Sequence, residues 1–179
     1  MAKVLTYSRK YPSYHPKRGA DTYFVEKFYR SIGATFCIKS QKMRIPMVDQ
    51  QNPNLPEEIL TTFYRSLSVG NQQTKGHTIR KGNRFKKGDY FSPRIWSGKP
   101  YYSKQIILAP DTLITDVWTF SIRKNGQIYM NGKRVSIKGL VLLRIAKNDG
   151  LSRKDLMDWF KHPKPFIGQI ICWDKEIKY

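Results

Sequence analysis

Acidic residues are scarce in this chain. Its 179 residues hold 13 Asp and Glu against 33 Lys and Arg, a formal net charge of +20. So lopsided a balance repels itself in a compact state, and a polyanionic partner is the natural compensation. Nucleic acid is the first candidate and an anionic membrane surface the second. Cysteine is scarcer still. Cys37 and Cys172 lie far apart without CxxC spacing, which excludes a disulfide framework and a zinc site built on paired cysteines. Both sit in apolar, strand-like stretches and read as buried thiols of a reducing compartment. No apolar run approaches the ~20 residues that span a bilayer. The opening MAKVLTYSRKYPSYHPKRG has no apolar segment of signal-peptide length, so the expectation is a cytoplasmic protein outside the membrane. The three histidines, His15, His77 and His162, are too scattered for a metal site. There is no P-loop, GxGxxG, HExxH or GxSxG, and no cofactor is expected.

Length sets the next bound. A chain of this size holds one core, with room for an extension but not for a second full domain. Residues 3–7 read as a strand. A Pro/Gly/Lys-rich loop carrying His15 follows, and His15 reads as a surface residue. Asp21 is an N-cap candidate for a helix whose apolar positions are Phe24, Val25, Phe28, Tyr29 and Ile32, stopped by Gly33. Residues 34–39 suggest a strand. Pro56 opens a second helix that ends before Gly70. Strands are expected at about 88–92, 104–108 and 112–123. The QIYM and RVSI runs flank Asn131-Gly132, the dipeptide of a two-residue hairpin. The unbroken apolar run at 140–146 reads as a buried strand. Ser152 with Asp155 forms a capping box for a short helix, and FIGQIICW closes the chain as a strand. Many short strands, few helices and no βαβ alternation predict an α+β fold around a small, mostly antiparallel β-barrel.

The stretch from Lys75 to Lys104 carries nine Lys or Arg and one acid, Asp89. Aromatics are interleaved with it, and basic groups beside aromatics serve phosphates and stacked bases together. Candidate contacts are Arg80, Lys81, Arg84, Lys86, Lys87, Arg94, Trp96, Lys99 and Tyr101. Strand alternation puts Thr78 and Arg80 on one face and Ile79 on the other. Arg80 is suited either to clamping a phosphate bidentately or to an ion pair with Asp89 or Asp149. Trp96, in a basic Gly/Pro segment, suits base stacking better than core packing, whereas Trp118, Trp159 and Trp173 suit the core. The plain alternative for the cations is a solvated basic loop.

KGHTIR, then KKGDYF, then LVLLRIAKNDGLSRKDLMDWF and IGQIICW resemble the ASCH family of the PUA-like superfamily. The resemblance covers roughly residues 70–173. It implies a PUA-like barrel with flanking helices over 70–179, with residues 1–69 as an N-terminal helical extension packed on it. Some members of that family are inferred to bind RNA, some cleave RNA, and small bacterial members are amidohydrolases of N4-acylated cytidines that use a Lys, a Thr and a Glu. Carried over, Lys75 matches the Lys and Thr78 the Thr, and Asp149, one methylene shorter, stands in the place of the Glu. The leading expectation is an ASCH-like module binding RNA or a modified nucleotide in a basic cleft. The alternative is a hydrolase with Lys75, Thr78 and Asp149 as catalytic set. A Lys in a closed site can deprotonate a Thr hydroxyl, and the carboxylate can orient the Lys. Asn148-Asp149-Gly150 is also a natural turn.

Overall fold

A computed structural model describes residues 1–37, 42–44, 61, 73–161 and 165–179. The helix expected from Pro56 to Gly70, the 69/70 boundary and His162 lie outside the described residues. Two sheets carry the architecture. In the first, β5 (Tyr90–Trp96) lies between β1 (Lys3–Thr6) and β6 (Gln105–Ile107), and β7 (Thr112–Leu113) also pairs with β5. The β1–β5 ladder is parallel and those of β6 and β7 are antiparallel. The second sheet is antiparallel throughout. Its order is β10 (Lys133–Val135), β9 (Ile128–Met130), β8 (Asp116–Ile122), β11 (Phe166–Cys172) and β4 (His77–Lys81). A separate pair joins β2 (Thr35–Cys37) to β3 (Lys42–Arg44). The described helices are α1 (Phe24–Ser31), α2 (Leu140–Asn148) and α3 (Arg153–Trp159). The fold is α+β with mostly antiparallel sheets, and the ladders among the described residues do not close into a barrel.

One core joins these parts. Phe28 of α1 lies 5.2 Å from the Tyr7 ring and 5.6 Å from Trp173, and Trp173 lies 5.3 Å from Phe91 of β5. All four are buried, so Tyr7 and Phe28 of the N-terminal segment share one interior with Phe91 and Trp173. The expected hairpin is present. Asn131 and Gly132 have φ of 47° and 76°, the left-handed pair that a two-residue turn of this kind requires. The capping box is present as well, with the Asp155 N–H donating to Ser152 Oγ at 3.0 Å.

Four expectations are corrected. The run at 140–146 is a helix, not a strand. Only Leu142, Ile145 and Ala146 are buried on it, at i, i+3 and i+4, while Leu140 is 76% exposed. Apolar throughout except for Arg144, the run shows no clear period, and packing decided the matter. Asp21 does not cap α1. It pairs with Lys10 at 2.5 Å, and Tyr23, with a φ of 56°, takes the cap position. The single strand expected over 112–123 is broken at 114–115. Ile114 N–H donates to the Asp89 carbonyl of one sheet region, and Thr115 N–H to the Cys172 carbonyl of the other, so the chain changes sheets there. His15 is not a surface residue. It is 2% exposed, stacks on Tyr11 at 4.4 Å, and its Nε2 lies 3.2 Å from the Asp155 carbonyl.

Candidate functional site

The site is built where three backbone segments meet. Gly150 has a φ of 76°, the left-handed conformation that ends α2. Its N–H donates to the Lys147 carbonyl and the Leu151 N–H to the Ala146 carbonyl, the pair of bonds of a Schellman motif. Asn148-Asp149-Gly150 is thus a helix end rather than a free turn, and it fixes Asp149 as the C-cap. Beside it, Lys75 N–H donates to the Lys27 carbonyl of α1, and Gly76 N–H to the Asn148 carbonyl. A Cβ on Gly76 would come within 2.6 Å of Ile177 Cδ1. Only glycine lets the strand entering β4 pass so close.

This backbone arrangement brings Lys75 onto Asp149. Lys75 Nζ donates to Asp149 Oδ1 at 2.5 Å and to its carbonyl at 2.8 Å. Lys75 is 1% exposed and Asp149 5%. The ammonium also sits 4.1 Å from the centre of the Phe24 ring, a cation–π contact in a water-poor setting. Burial pushes the Lys75 pKa down to about 8, against the pull of Asp149. Burial likewise raises Asp149, against Lys75. Both shifts have one origin, the cost of placing charge away from water.

Around the pair stand groups outside the expected catalytic set. Lys27 is buried, its Nζ donates to the Gly150 carbonyl at 2.6 Å, and burial then the Lys75 charge push its pKa down to about 8. His77 is fully buried. Its Nε2 lies 2.8 Å from the Tyr179 hydroxyl, and its Nδ1 lies 3.8 Å from Asp149 with no hydrogen-bond partner. Burial and then Lys75 hold it well below the ordinary histidine range, so the ring is neutral. Tyr7 is 3% exposed and its hydroxyl has no hydrogen-bond partner. Burial raises it well above the ordinary phenol value, with Arg80 opposing and Asp149 reinforcing. Alternation along VLTYS, which puts Tyr7 on the side of Leu5, is the signal that could have marked Tyr7 as inward. Nothing in the local pattern marks Lys27, because α1 buries Glu26 and Lys27 along with its apolar side.

Of the expected catalytic set, Lys75 and Asp149 meet. Thr78 is buried on β4 opposite Ile171, and no hydrogen bond to its hydroxyl is seen among the described residues. Arg80 is half-buried. Its Nη2 donates to the Thr6 carbonyl, and it forms an ion pair with neither Asp89 nor Asp149. Asp89 is taken by Lys3 at 2.5 Å. Arg84 Nη2 donates to the Val4 carbonyl and stacks over Phe85. The arginines therefore bridge β1 and β4, the facing edges of the two sheets.

The other expected contacts fall into two exposed groups. Lys81 ends β4, and Arg84, Lys86 and Lys87 lie on the loop after it, with Lys87 reaching Asp116 at 3.4 Å. Lys99 and Tyr101 lie on the tip between β5 and β6, where Tyr101 is 85% exposed and Lys99 Nζ sits 4.6 Å over Tyr102. Trp96 ends β5 rather than occupying a loop, is half-buried, and lies 5.3 Å from the Tyr101 ring. Arg94, also half-buried, is held by Ser92 Oγ and Gln105. A groove of about 520 Å3 lies between β10 and α2 and, of these residues, is lined by Tyr179. No helix among the described residues is long and apolar enough to cross a membrane.

No family model, no curated protein and no solved structure matches this chain.

Proposed function

We propose that the protein is an ASCH-like module of the PUA-like type that binds RNA or a modified nucleotide through a basic cleft. The observation that carries this reading is the segregation of the Lys75–Lys104 segment. Lys81, Arg84, Lys86, Lys87, Lys99 and Lys104 are exposed, with Tyr101 and Tyr102 exposed beside them, while Lys75 alone of the nine cations is buried. Exposed cations neutralise backbone phosphates and exposed rings offer stacking platforms. Arg80 and Arg84, which bridge the β1 and β4 edges, favour a barrel-like closure of the two sheets at that seam. The test is anisotropy of a labelled single-stranded RNA at low and high salt. Affinity is expected to fall steeply as salt rises, because bound cations release counterions. Absent or salt-indifferent binding overturns the reading.

The Lys75–Asp149 contact favours a second reading, a hydrolase of the ASCH type. A lysine with a pKa of about 8 is about one-tenth neutral at pH 7, enough to serve as a base. Incubation with N4-acetylcytidine and with short RNAs would release cytidine or cleaved product, and Lys75→Ala and Thr78→Ala would each abolish it. Equal turnover in wild type and variants sinks this reading and leaves the binding one untouched.

A further inference from the structure

We propose that Tyr7, Lys27, Lys75 and Arg80 form an oxyanion site around Asp149 that takes a phosphate group. The site stands on charge and hydrogen-bond donors. That its phosphate belongs to a nucleotide rests on the functional reading above.

Charge is the first argument. Lys27 and Lys75 are buried and Arg80 is half-buried, and one carboxylate, Asp149, stands among them. Glu26 does not restore the balance. Burial pushes its pKa up to about 7, so at neutral pH it carries only part of a charge. An excess of positive charge shielded from water is costly, and a bound anion offsets that cost.

Donors are the second argument. The Tyr7 hydroxyl is buried and unpartnered, which a native interior rarely tolerates without a missing ligand or water. Arg80 spends Nη2 on the Thr6 carbonyl and has its other guanidinium donors in hand. Lys75 spends two bonds on Asp149, one to the carboxylate and one to the carbonyl, and keeps a third donor. The vicinity is thus rich in donors and poor in acceptors. A phosphate group is the reverse, with oxygens that accept from all sides, and a planar guanidinium beside a phenol hydroxyl suits it.

Access is the third. Arg80 lies at the seam between β1 and β4 and keeps part of its surface in solvent. A phosphate can reach the guanidinium from that solvent-facing side. The N-terminal strand thereby supplies the site with a residue, Tyr7, that the 70–179 segment does not contain.

The experiment titrates the full-length protein with inorganic phosphate at constant ionic strength, read by calorimetry and by Tm. The wild type is expected to bind and to gain Tm. Tyr7→Phe keeps the ring packed on Phe28 and Trp173 and deletes only the hydroxyl. It should raise the Tm of the ligand-free protein while weakening phosphate binding by about tenfold, as loss of one charge-assisted hydrogen bond implies. Arg80→Gln, at a half-buried position, should weaken it at least as much. Cytidine 5′-monophosphate and short RNA are then compared with unphosphorylated cytidine. Competition by the mononucleotide marks a phosphomonoester site, competition by RNA alone marks a backbone phosphodiester site, and both uphold the proposal. No phosphate binding by the wild type overturns it, as does equal binding by wild type, Tyr7→Phe and Arg80→Gln. Phosphate binding that depends on Tyr7, in a protein that ignores RNA, upholds this site and refutes the nucleic-acid reading. RNA binding without phosphate binding does the opposite.

Discussion

At the scale of single residues, the interior of this protein carries unusual electrostatic tension. Glu26 is the clearest case. It is 3% exposed, and burial raises its pKa from 4.5 to about 7, with Arg30 and Lys27 only partly opposing. The folded chain therefore holds the proton over a window, about pH 4.5 to 7, in which the unfolded chain has released it. Stability from this group is greatest below pH 4.5 and is lost as pH rises toward 7. The gap corresponds to about 3 kcal/mol. Glu26→Gln is accordingly expected to match the wild type at pH 4 and to exceed its unfolding free energy by up to about 3 kcal/mol at pH 8. Urea denaturation at the two pH values checks it, and an equal difference at both would contradict the assignment. Lys75 and Asp149 differ in kind, because each satisfies the other. Removing one partner leaves a buried charge alone, so Asp149→Ala should cost about 3–5 kcal/mol, measurable on the same curves.

At the scale of elements, β11 and β4 pack closely at a glycine. Gly168 faces Lys81, and a Cβ there would lie 2.1 Å from the Arg80 carbonyl oxygen. That oxygen is backbone and cannot rotate away. Gly168→Ala is expected to open the β4–β11 ladder, lower stability by about 3 kcal/mol and move Arg80 from the Thr6 carbonyl. Hydrogen exchange at the β4 amides would report the opening, and unchanged protection would count against it. The α3 cap is a milder case. The Ser152 hydroxyl serves the Asp155 N–H, and Asp155 is also held by Lys17 at 2.8 Å. Ser152→Ala should cost about 1 kcal/mol, because that ion pair survives the loss of the cap.

At the scale of the whole molecule, part of the +20 charge is buried around Asp149, and part is exposed on the β4–β5 loop, on the β5–β6 tip and on other surfaces such as Lys133, Arg134 and Lys138. In the proposed RNA binding, the exposed part sets encounter and salt dependence. Replacing both Lys86 and Lys87 by Ala is expected to lower the slope of log affinity for RNA against log salt by about two, with Tm nearly unchanged. A slope equal to that of the wild type would remove this loop from the interface.

Much of this protein follows from local pattern. The 131–132 turn needs two left-handed residues, and Asn-Gly is the pair that adopts them cheaply. Ser152 and Asp155 cap a helix through bonds that span three residues. The period of Phe24, Val25, Phe28 and Tyr29 marks α1, and the excess of Lys and Arg over acids sets the net charge whatever the fold. These are short-range or additive properties, so composition and spacing contain them. The run at 140–146 had no period to read, and only packing of Leu142, Ile145 and Ala146 made it a helix. The meeting of Lys75 with Asp149 spans 74 positions, and the approach of Arg80 to Thr6 spans another 74. Tyr7 and Lys27 become polar neighbours of that pair only once β1 and α1 have joined the core. Side-chain contacts of such separation are made by the tertiary fold alone, because no local propensity acts over that length of chain.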